Sequence, residues 1–258
     1  LDYCDHCSGL QLRHCLDKEL LYSEYTYLTP DTSSLTEHYK LIADFLVKKN
    51  YISKDTDCLE IGSNNGRFLH YLKPYVNSVL GVDPAKNVAQ FAAELGVETI
   101  IDFFSKNIVS KVKEKKQEIN LIVARHMFAH NANPDDIFDG IDALLHENGV
   151  VLIENQYAFE TLQTGAFDQI YHEHMFYYSV KNMKNYLESH SYDLNDILLT
   201  DIHGGSIVFI ASRATTFPIS QTVNRQLDNE DRLLKDDWIF KEFLDGIELV
   251  KSNSLNEI

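Results

Sequence analysis

Between residues 57 and 155 the chain alternates five short apolar runs with stretches of helical periodicity, and few architectures accept that alternation. "DCLEIG" leads into a helix expected from about Gly66 to Lys73. "SVLGVD" precedes "PAKNVAQFAAELG", whose apolar residues recur three and four apart. "VETIID" precedes "FFSKNIVSKVKEKK". "INLIVAR" precedes "NPDDIFDGIDALLHENG", with Pro near its start and Gly at its end, and "GVVLIEN" closes the set. Buried strands joined by amphipathic helices predict an α/β domain built on a mainly parallel sheet, flanked by helices on both faces. A helix is expected before it, in "LTEHYKLIADFLVKKN". After it come a helix near Val180 to Ser189 and two strand-like runs, "LNDILLTDI" and "SIVFIAS", joined by a turn at "HGGS". The tail from about Gln221 is charged, and "LLKDDWIFKEFLDGIELV" reads as an amphipathic helix without an evident partner.

Charge and cysteine usage narrow the function. A net charge of −16 repels nucleic-acid phosphates, so DNA and RNA are excluded as partners and a small-molecule substrate is expected. No apolar run approaches the roughly 20 residues of a membrane span. "LDYCDHCSG" has neither the basic start nor the apolar stretch of a signal peptide. Cys4, Cys7, Cys15 and Cys58 are too few for a disulfide scaffold at this length, so a reducing, cytoplasmic setting is expected.

The first strand ends in "LEIGSNNGRF". Gly62 and Gly66 flank a tight strand-to-helix loop of the kind that brings backbone close to a ligand. Its spacing lacks the central glycine that a pyrophosphate needs, and Glu60 before it suits a cationic, amino-bearing ligand instead. Ser63 and Asn64 belong to the same loop. Asp83, ahead of Pro84, ends the second strand, where a carboxylate can accept both hydroxyls of a ribose. At the third strand end, Asp102 can bind an exocyclic amine and Phe103 or Phe104 can stack on a flat base.

This ordered set resembles the Rossmann-like fold of S-adenosylmethionine-dependent methyltransferases. With "EYTYLTPDTSSLTEHYKLIADFL", "FAHNANPDDIFDGIDALL", "YHEHMFYYSV" and "HGGSIVFIAS" in order, the chain resembles, over most of its length, bacterial sugar C-methyltransferases. These put a methyl branch on carbon 3 of a nucleotide-linked 4-keto-deoxysugar. The resemblance implies that His174 is the base, that Tyr171 and Glu173 line the sugar site, and that His130 and Tyr25 take part. It places Arg125 beside the cofactor, although Arg125 and His126 stand where the family carries small amides, and Val208 where an arginine is common. Asn155 and His203 are the substrate-side candidates, His203 either touching substrate or shaping its turn. Residues 1–34 then correspond to the remnant of an N-terminal zinc-type module and a substrate-side segment, 35–215 to the methyltransferase core, and 216–258 to a helical segment leading towards a further domain. Cys4 and Cys7 form a half-site, and zinc is implied only if upstream ligands complete it.

Methylation at a sugar carbon requires a base near a carbon beside a ketone and a donor for the enolate oxygen, and an unperturbed histidine, near 6.5, is well matched as the base. In a straight extended segment Tyr171 and Glu173 would face one way and His172 and His174 the other, so either a turn intervenes in "YHEH" or substrate lies along the segment. His172 is expected in the core, Tyr177 and Tyr178 in packing positions, Cys58 as a small buried side chain, and His38, His70 and His146 in surface or packing positions. An O-methyltransferase acting on a sugar or small metabolite, and a non-catalytic S-adenosylmethionine-binding module, are the competing readings.

Overall fold

The computed structural model describes residues 1–14, 16, 21 and 27–256. The five expected strands form as β3 (Asp57–Ile61), β4 (Ser78–Val82), β5 (Thr99–Ile100), β6 (Ile119–Arg125) and β7 (Leu145–Gln156). With β9 (Tyr192–Thr200) and β10 (Ser206–Arg213) they make a seven-stranded sheet of order β5-β4-β3-β6-β7-β10-β9. All pairings from β5 through β7 are parallel, and β10 runs antiparallel to both neighbours. Alternate side chains of β3, β6 and β7 feed two cores. Leu59, Ile61, Ile122, Ala124, Val151 and Ile153 face one side, while Cys58, Leu121, Val123, Val150 and Leu152 face the other.

The second of these faces is covered by α1 (Ser33–Lys48), whose buried Leu35, His38, Tyr39, Ile42 and Leu46 recur three and four apart. Thr32 caps it, its side chain accepting from the Leu35 amide. Short crossovers α2 (Arg67–Leu72), α3 (Lys86–Glu94), α4 (Val109–Lys113) and α5 (Pro134–Leu144) link the parallel strands, and α5 carries Pro134 in its first turn as expected.

The two ends of the chain depart from expectation. The N-terminal hairpin, β1 (Asp2–Cys4) and β2 (Gly9–Gln11), does not stand apart. It pairs with β8 (Phe176–Tyr177), Leu10 opposite Tyr177, and so supports the segment that follows the histidine cluster. The tail has partners too. It forms α8 (Gln221–Leu233) and α9 (Trp238–Asn256), interrupted by a single tight turn. Ile239 and Phe243 of α9 are buried in the core that also takes Leu162 of α6 (Ala158–Thr164), and Phe240 packs on Tyr3 at 5.0 Å between ring centroids. Glu230 of α8 is fully buried. It accepts from the amides of Val180 and Lys181 (2.6 and 2.9 Å), at the start of α7 (Val180–Ser189), and from the Tyr157 hydroxyl (2.8 Å). A polar group inside a charged helix gave no sign of this in the sequence, because its donors lie 49 to 73 residues away.

Candidate active site

The C-terminal ends of β3, β4 and β6 open onto one cavity of about 300 Å³, at the position where the strand order reverses on either side of β3. The loop after β3 is shaped by its glycines. Gly62 and Gly66 both sit at φ +70°, and a Cβ on Gly62 would lie 2.9 Å from the Cβ of Met127. Glu60, Gly62, Ser63 and Asn64 all line the cavity; Gly66 instead starts α2 behind the loop.

Asp83 lines the cavity with Pro84. Its two oxygens accept from the amides of Asn64 (2.8 Å) and Ala85 (2.9 Å), which fixes the carboxylate and leaves each oxygen a second lone pair. Burial raises its pKa, and those two amides work in the opposite direction. Glu60 is almost wholly buried, and its Oε2 has no hydrogen-bond partner among the described residues. Burial pushes it up to about 8 against the pull of Arg125, with Asp83 and Glu154 adding to the rise. A buried acceptor in need of a cation and a fixed carboxylate at the next strand end fit the amino and ribose groups of S-adenosylmethionine. Phe103 and Phe104 line the cavity. Asp102 does not: β5 ends two residues earlier, and the Asp102 carboxylate is partly exposed and paired with Lys111 at 3.2 Å.

The histidine cluster lies across the same cavity, and a turn brings it together. The His174 amide donates to the Tyr171 carbonyl (3.1 Å), which places the Tyr171 hydroxyl 2.8 Å from Nε2 of His174. The next amide, of Met175, donates to the Ala129 carbonyl (2.9 Å) and ties the segment to the turn that carries His130. The rings of His130 and His174 meet edge to face at 4.9 Å, and Glu173 Oε2 is 3.9 Å from His130 Nδ1. Tyr171, His174, His130 and His203 line the cavity. Glu173 stands behind His130. Asn155 is buried one layer further back, its Oδ1 accepting from the Ala129 amide (3.3 Å), so it supports the His130 turn rather than facing the cavity. Tyr25 lies outside the described residues. His172 is exposed, contrary to its expected place in the core, because the turn directs it outwards while His174 goes in. Tyr177, Tyr178 and Cys58 are buried as expected.

Burial governs the protonation of this cluster. It lowers His174 to about 4, the Gln169 backbone pulling weakly the other way without making a full hydrogen bond to the buried Nδ1. It lowers His130 to about 3, helped by His174 and His126. Tyr171 is pushed up to about 12 by burial and the neighbouring Glu173. All three are therefore neutral at pH 7, and burial takes His174 below the 6.5 expected of an unperturbed ring. A neutral imidazole carries one N–H and one lone pair, so the same ring type can accept a proton at one position and donate a hydrogen bond at the other.

Arg125 lines the cavity with Glu60. Behind it stands a group the sequence reading missed. Glu154 is fully buried, with Oε1 2.6 Å from His38 Nε2 and Oε2 near Arg125 and His126. Burial opposes its charge, but His126, the His38 bond and Arg125 together outweigh it and hold the carboxyl down at about 2. A carboxylate inside the apolar run "GVVLIEN" was the available signal, since a buried charge demands partners. His38 is thus a packing position with a specific polar contact. Burial lowers His126 to about 3, Glu154 pulling the other way. His126 meets His203 edge to face at 4.6 Å, and both residues adopt left-handed backbone conformations.

Cys4 and Cys7 approach each other in the N-terminal hairpin, and burial raises the Cys7 thiol. Two thiols do not complete a zinc site. No group of three or more His, Cys, Asp or Glu suited to a metal occurs among the described residues. No helix among them is long and apolar enough to cross a membrane.

Residues 35–196 match the family model of a methyltransferase domain. The chain is 31% identical over 251 residues to the C-methyltransferase NovU of Streptomyces niveus, covering 96% of this chain and 60% of that protein. It therefore spans about three fifths of that relative's length. Among solved structures, magnesium protoporphyrin IX methyltransferase from Synechocystis with bound S-adenosylhomocysteine aligns over 72% of this chain and 90% of its own, with a TM-score of 0.53 at 8% identity. An S-adenosylmethionine-dependent methyltransferase from Geobacter sulfurreducens, in complex with S-adenosylhomocysteine, aligns over 77% and 99%, with a TM-score of 0.50 at 13% identity. At such identities the likeness concerns the fold.

Proposed function

The chain belongs to the methyltransferase-domain family, and we propose that it moves a methyl group from S-adenosylmethionine to a carbon beside a ketone in a nucleotide-linked deoxysugar. The observation that carries this reading is the His174–Tyr171–His130 cluster facing Glu60 and Asp83 across one cavity. Identity to a C-methyltransferase over almost the whole chain supports transfer to carbon. S-adenosylmethionine supplies an electrophilic methyl on a sulfonium, and Glu60 and Asp83 would hold its ammonium and ribose.

The remaining chemistry falls to the histidines. The carbon acid loses its proton to Nε2 of His174, the nitrogen that the Tyr171 hydroxyl bonds in the ligand-free site and yields to the substrate, while the buried Nδ1 keeps its own proton. A nearby enolate raises the proton affinity of that imidazole, since opposite charges attract strongly in a buried site, and this offsets the low resting value. His130, neutral and with one N–H, donates it to the enolate oxygen, and Glu173 Oε2 lies 3.9 Å from Nδ1, beyond hydrogen-bonding distance. Tyr171 stays protonated throughout because its pKa is far above neutrality. His203 contacts the sugar.

Deprotonation can be watched without methyl transfer. With S-adenosylhomocysteine in place of the donor, a nucleotide-linked 4-keto-deoxysugar in D2O should exchange hydrogen for deuterium at the carbon beside the ketone, read by NMR. His174→Ala should abolish the exchange while binding S-adenosylhomocysteine as the wild type does. Exchange at the wild-type rate in that variant would remove His174 as the base. A sugar that is methylated on oxygen without any exchange would replace this reading with O-methylation.

A further inference from the structure

Arg125 ends a buried strand, and its side chain is only 11% exposed. The guanidinium lies against two ring faces, 4.2 Å from the centroid of Phe68 and 4.9 Å from that of Tyr39. Two carboxylates are close to Nε, Glu154 at 3.4 Å and Glu60 at 3.7 Å. Neither is a hydrogen bond: Nε and Nη1 are buried with no hydrogen-bond partner among the described residues. A guanidinium carries five N–H donors in a fixed fork, and leaving buried donors unmet is costly. Arg125 also lines the cavity.

The arrangement behind Arg125 holds it still. Glu154 is anchored by His38 of α1, at 2.6 Å, and its second oxygen faces Arg125 and, at 3.6 Å, His126. The guanidinium is thus positioned from behind by a buried carboxylate and from the sides by two rings. Beside it, Glu60 offers Oε2, a buried acceptor that is likewise unpartnered. One end of the cavity, which both residues line, therefore holds a guanidinium and an acid with buried donors and a buried acceptor unmatched among the described residues. A group that satisfies both carries a carboxylate and an ammonium on neighbouring positions, which is an α-amino acid.

We propose that Arg125 and Glu60 form a receptor for an α-amino acid group, in which Arg125 binds the carboxylate of the methyl donor and Glu154 keeps the guanidinium in place. This rests on the reading of S-adenosylmethionine as the donor. It gives a task to an arginine that stands where the resembling sugar C-methyltransferases carry a small amide, and it makes the site selective for a donor with an intact amino acid arm. Arg125 suits the role better than a lysine would, because the fork can engage both carboxylate oxygens.

Three probes test it by calorimetry: S-adenosylmethionine, decarboxylated S-adenosylmethionine, which lacks only the carboxylate, and 5′-methylthioadenosine, a thioether that lacks the whole arm and the sulfonium charge. The wild type should prefer S-adenosylmethionine over the decarboxylated form by ~10- to 100-fold, the range of a charge-assisted hydrogen-bonded pair. Arg125→Met keeps the stem between the two rings. It should reduce that preference to about threefold or less and leave 5′-methylthioadenosine affinity unchanged. Equal wild-type affinity for the two sulfonium probes would overturn the proposal even if no variant folds, and so would an undiminished preference in Arg125→Met. Failure of the wild type to bind any of the three would instead overturn the donor reading itself, and this one with it.

Discussion

Glu60, if it receives the donor's ammonium as proposed, is expected to make cofactor binding a proton-coupled event. In the ligand-free protein, burial holds this carboxyl at about 8, so at pH 7 it is mostly protonated. An ammonium placed against it returns the group to about the ordinary carboxylate value of ~4.3, at which it is ionised. Binding at pH 7 should therefore release about 0.9 of a proton. The sign follows: the ligand prefers the ionised form, so affinity rises with pH until Glu60 is already ionised when empty. The expected gain is about ninefold from pH 6 to 7 and about fivefold from pH 7 to 8, flattening above that. His126, His130 and His174, held near 3 to 4, stay neutral across this window and add no proton of their own. Titration calorimetry with S-adenosylhomocysteine at pH 7, in buffers of low and high ionisation enthalpy, reads the number directly as the slope of apparent enthalpy. Glu60→Gln retains size and a hydrogen-bonding oxygen but cannot ionise, so its slope should be zero and its affinity independent of pH. A wild-type slope of zero, or the same slope in Glu60→Gln, would refute the reasoning.

Other perturbations have expected outcomes of different kinds. Asp83→Ala removes a carboxylate fixed by two amides, and S-adenosylhomocysteine affinity measured by calorimetry should fall ~10- to 100-fold; unchanged affinity would mean that the ribose lies elsewhere. Glu230→Ala leaves two amides and a tyrosine hydroxyl without their shared acceptor, and should destabilise the fold by ~2–4 kcal/mol in denaturant melts without altering cofactor affinity. Gly62→Ala combines a positive φ with a Cβ that meets Met127, so its melting temperature and cofactor affinity should both drop; a variant like wild type in both would show that the loop relaxes freely.

The parts of this molecule that were legible in its sequence are those whose physics is local. β3, β4, β6 and β7 are continuous apolar runs, and nothing else satisfies such runs as well as a parallel sheet covered on both faces. Gly62, Gly66, Glu60 and Asp83 sit at strand ends, so their convergence follows from the topology once the sheet is granted. What was not legible depends on contacts between distant segments. Whether His172 or His174 turns inwards is decided by the bond between the Met175 amide and Ala129, 46 residues away, and the motif itself carries no trace of it. Asp102 was misplaced because β5 stops at Ile100, and strand ends are poorly marked by composition. Glu154 escaped notice inside an apolar run, and its partner His38 lies 116 residues away. The partners of the tail are hidden in the sequence for the same reason, since Ile239 and Phe243 dock beside α6, and Glu230 caps α7.

The claim that the methyl goes to carbon is tested most directly by the product. The protein should be incubated with S-adenosylmethionine labelled with 13C in its methyl group and a nucleotide-linked 4-keto-deoxysugar, and the product examined by heteronuclear NMR. The account predicts a labelled methyl correlated to the ring carbon beside the ketone, with that carbon's own proton lost. A labelled methyl borne on oxygen, with the ring proton retained, would contradict it.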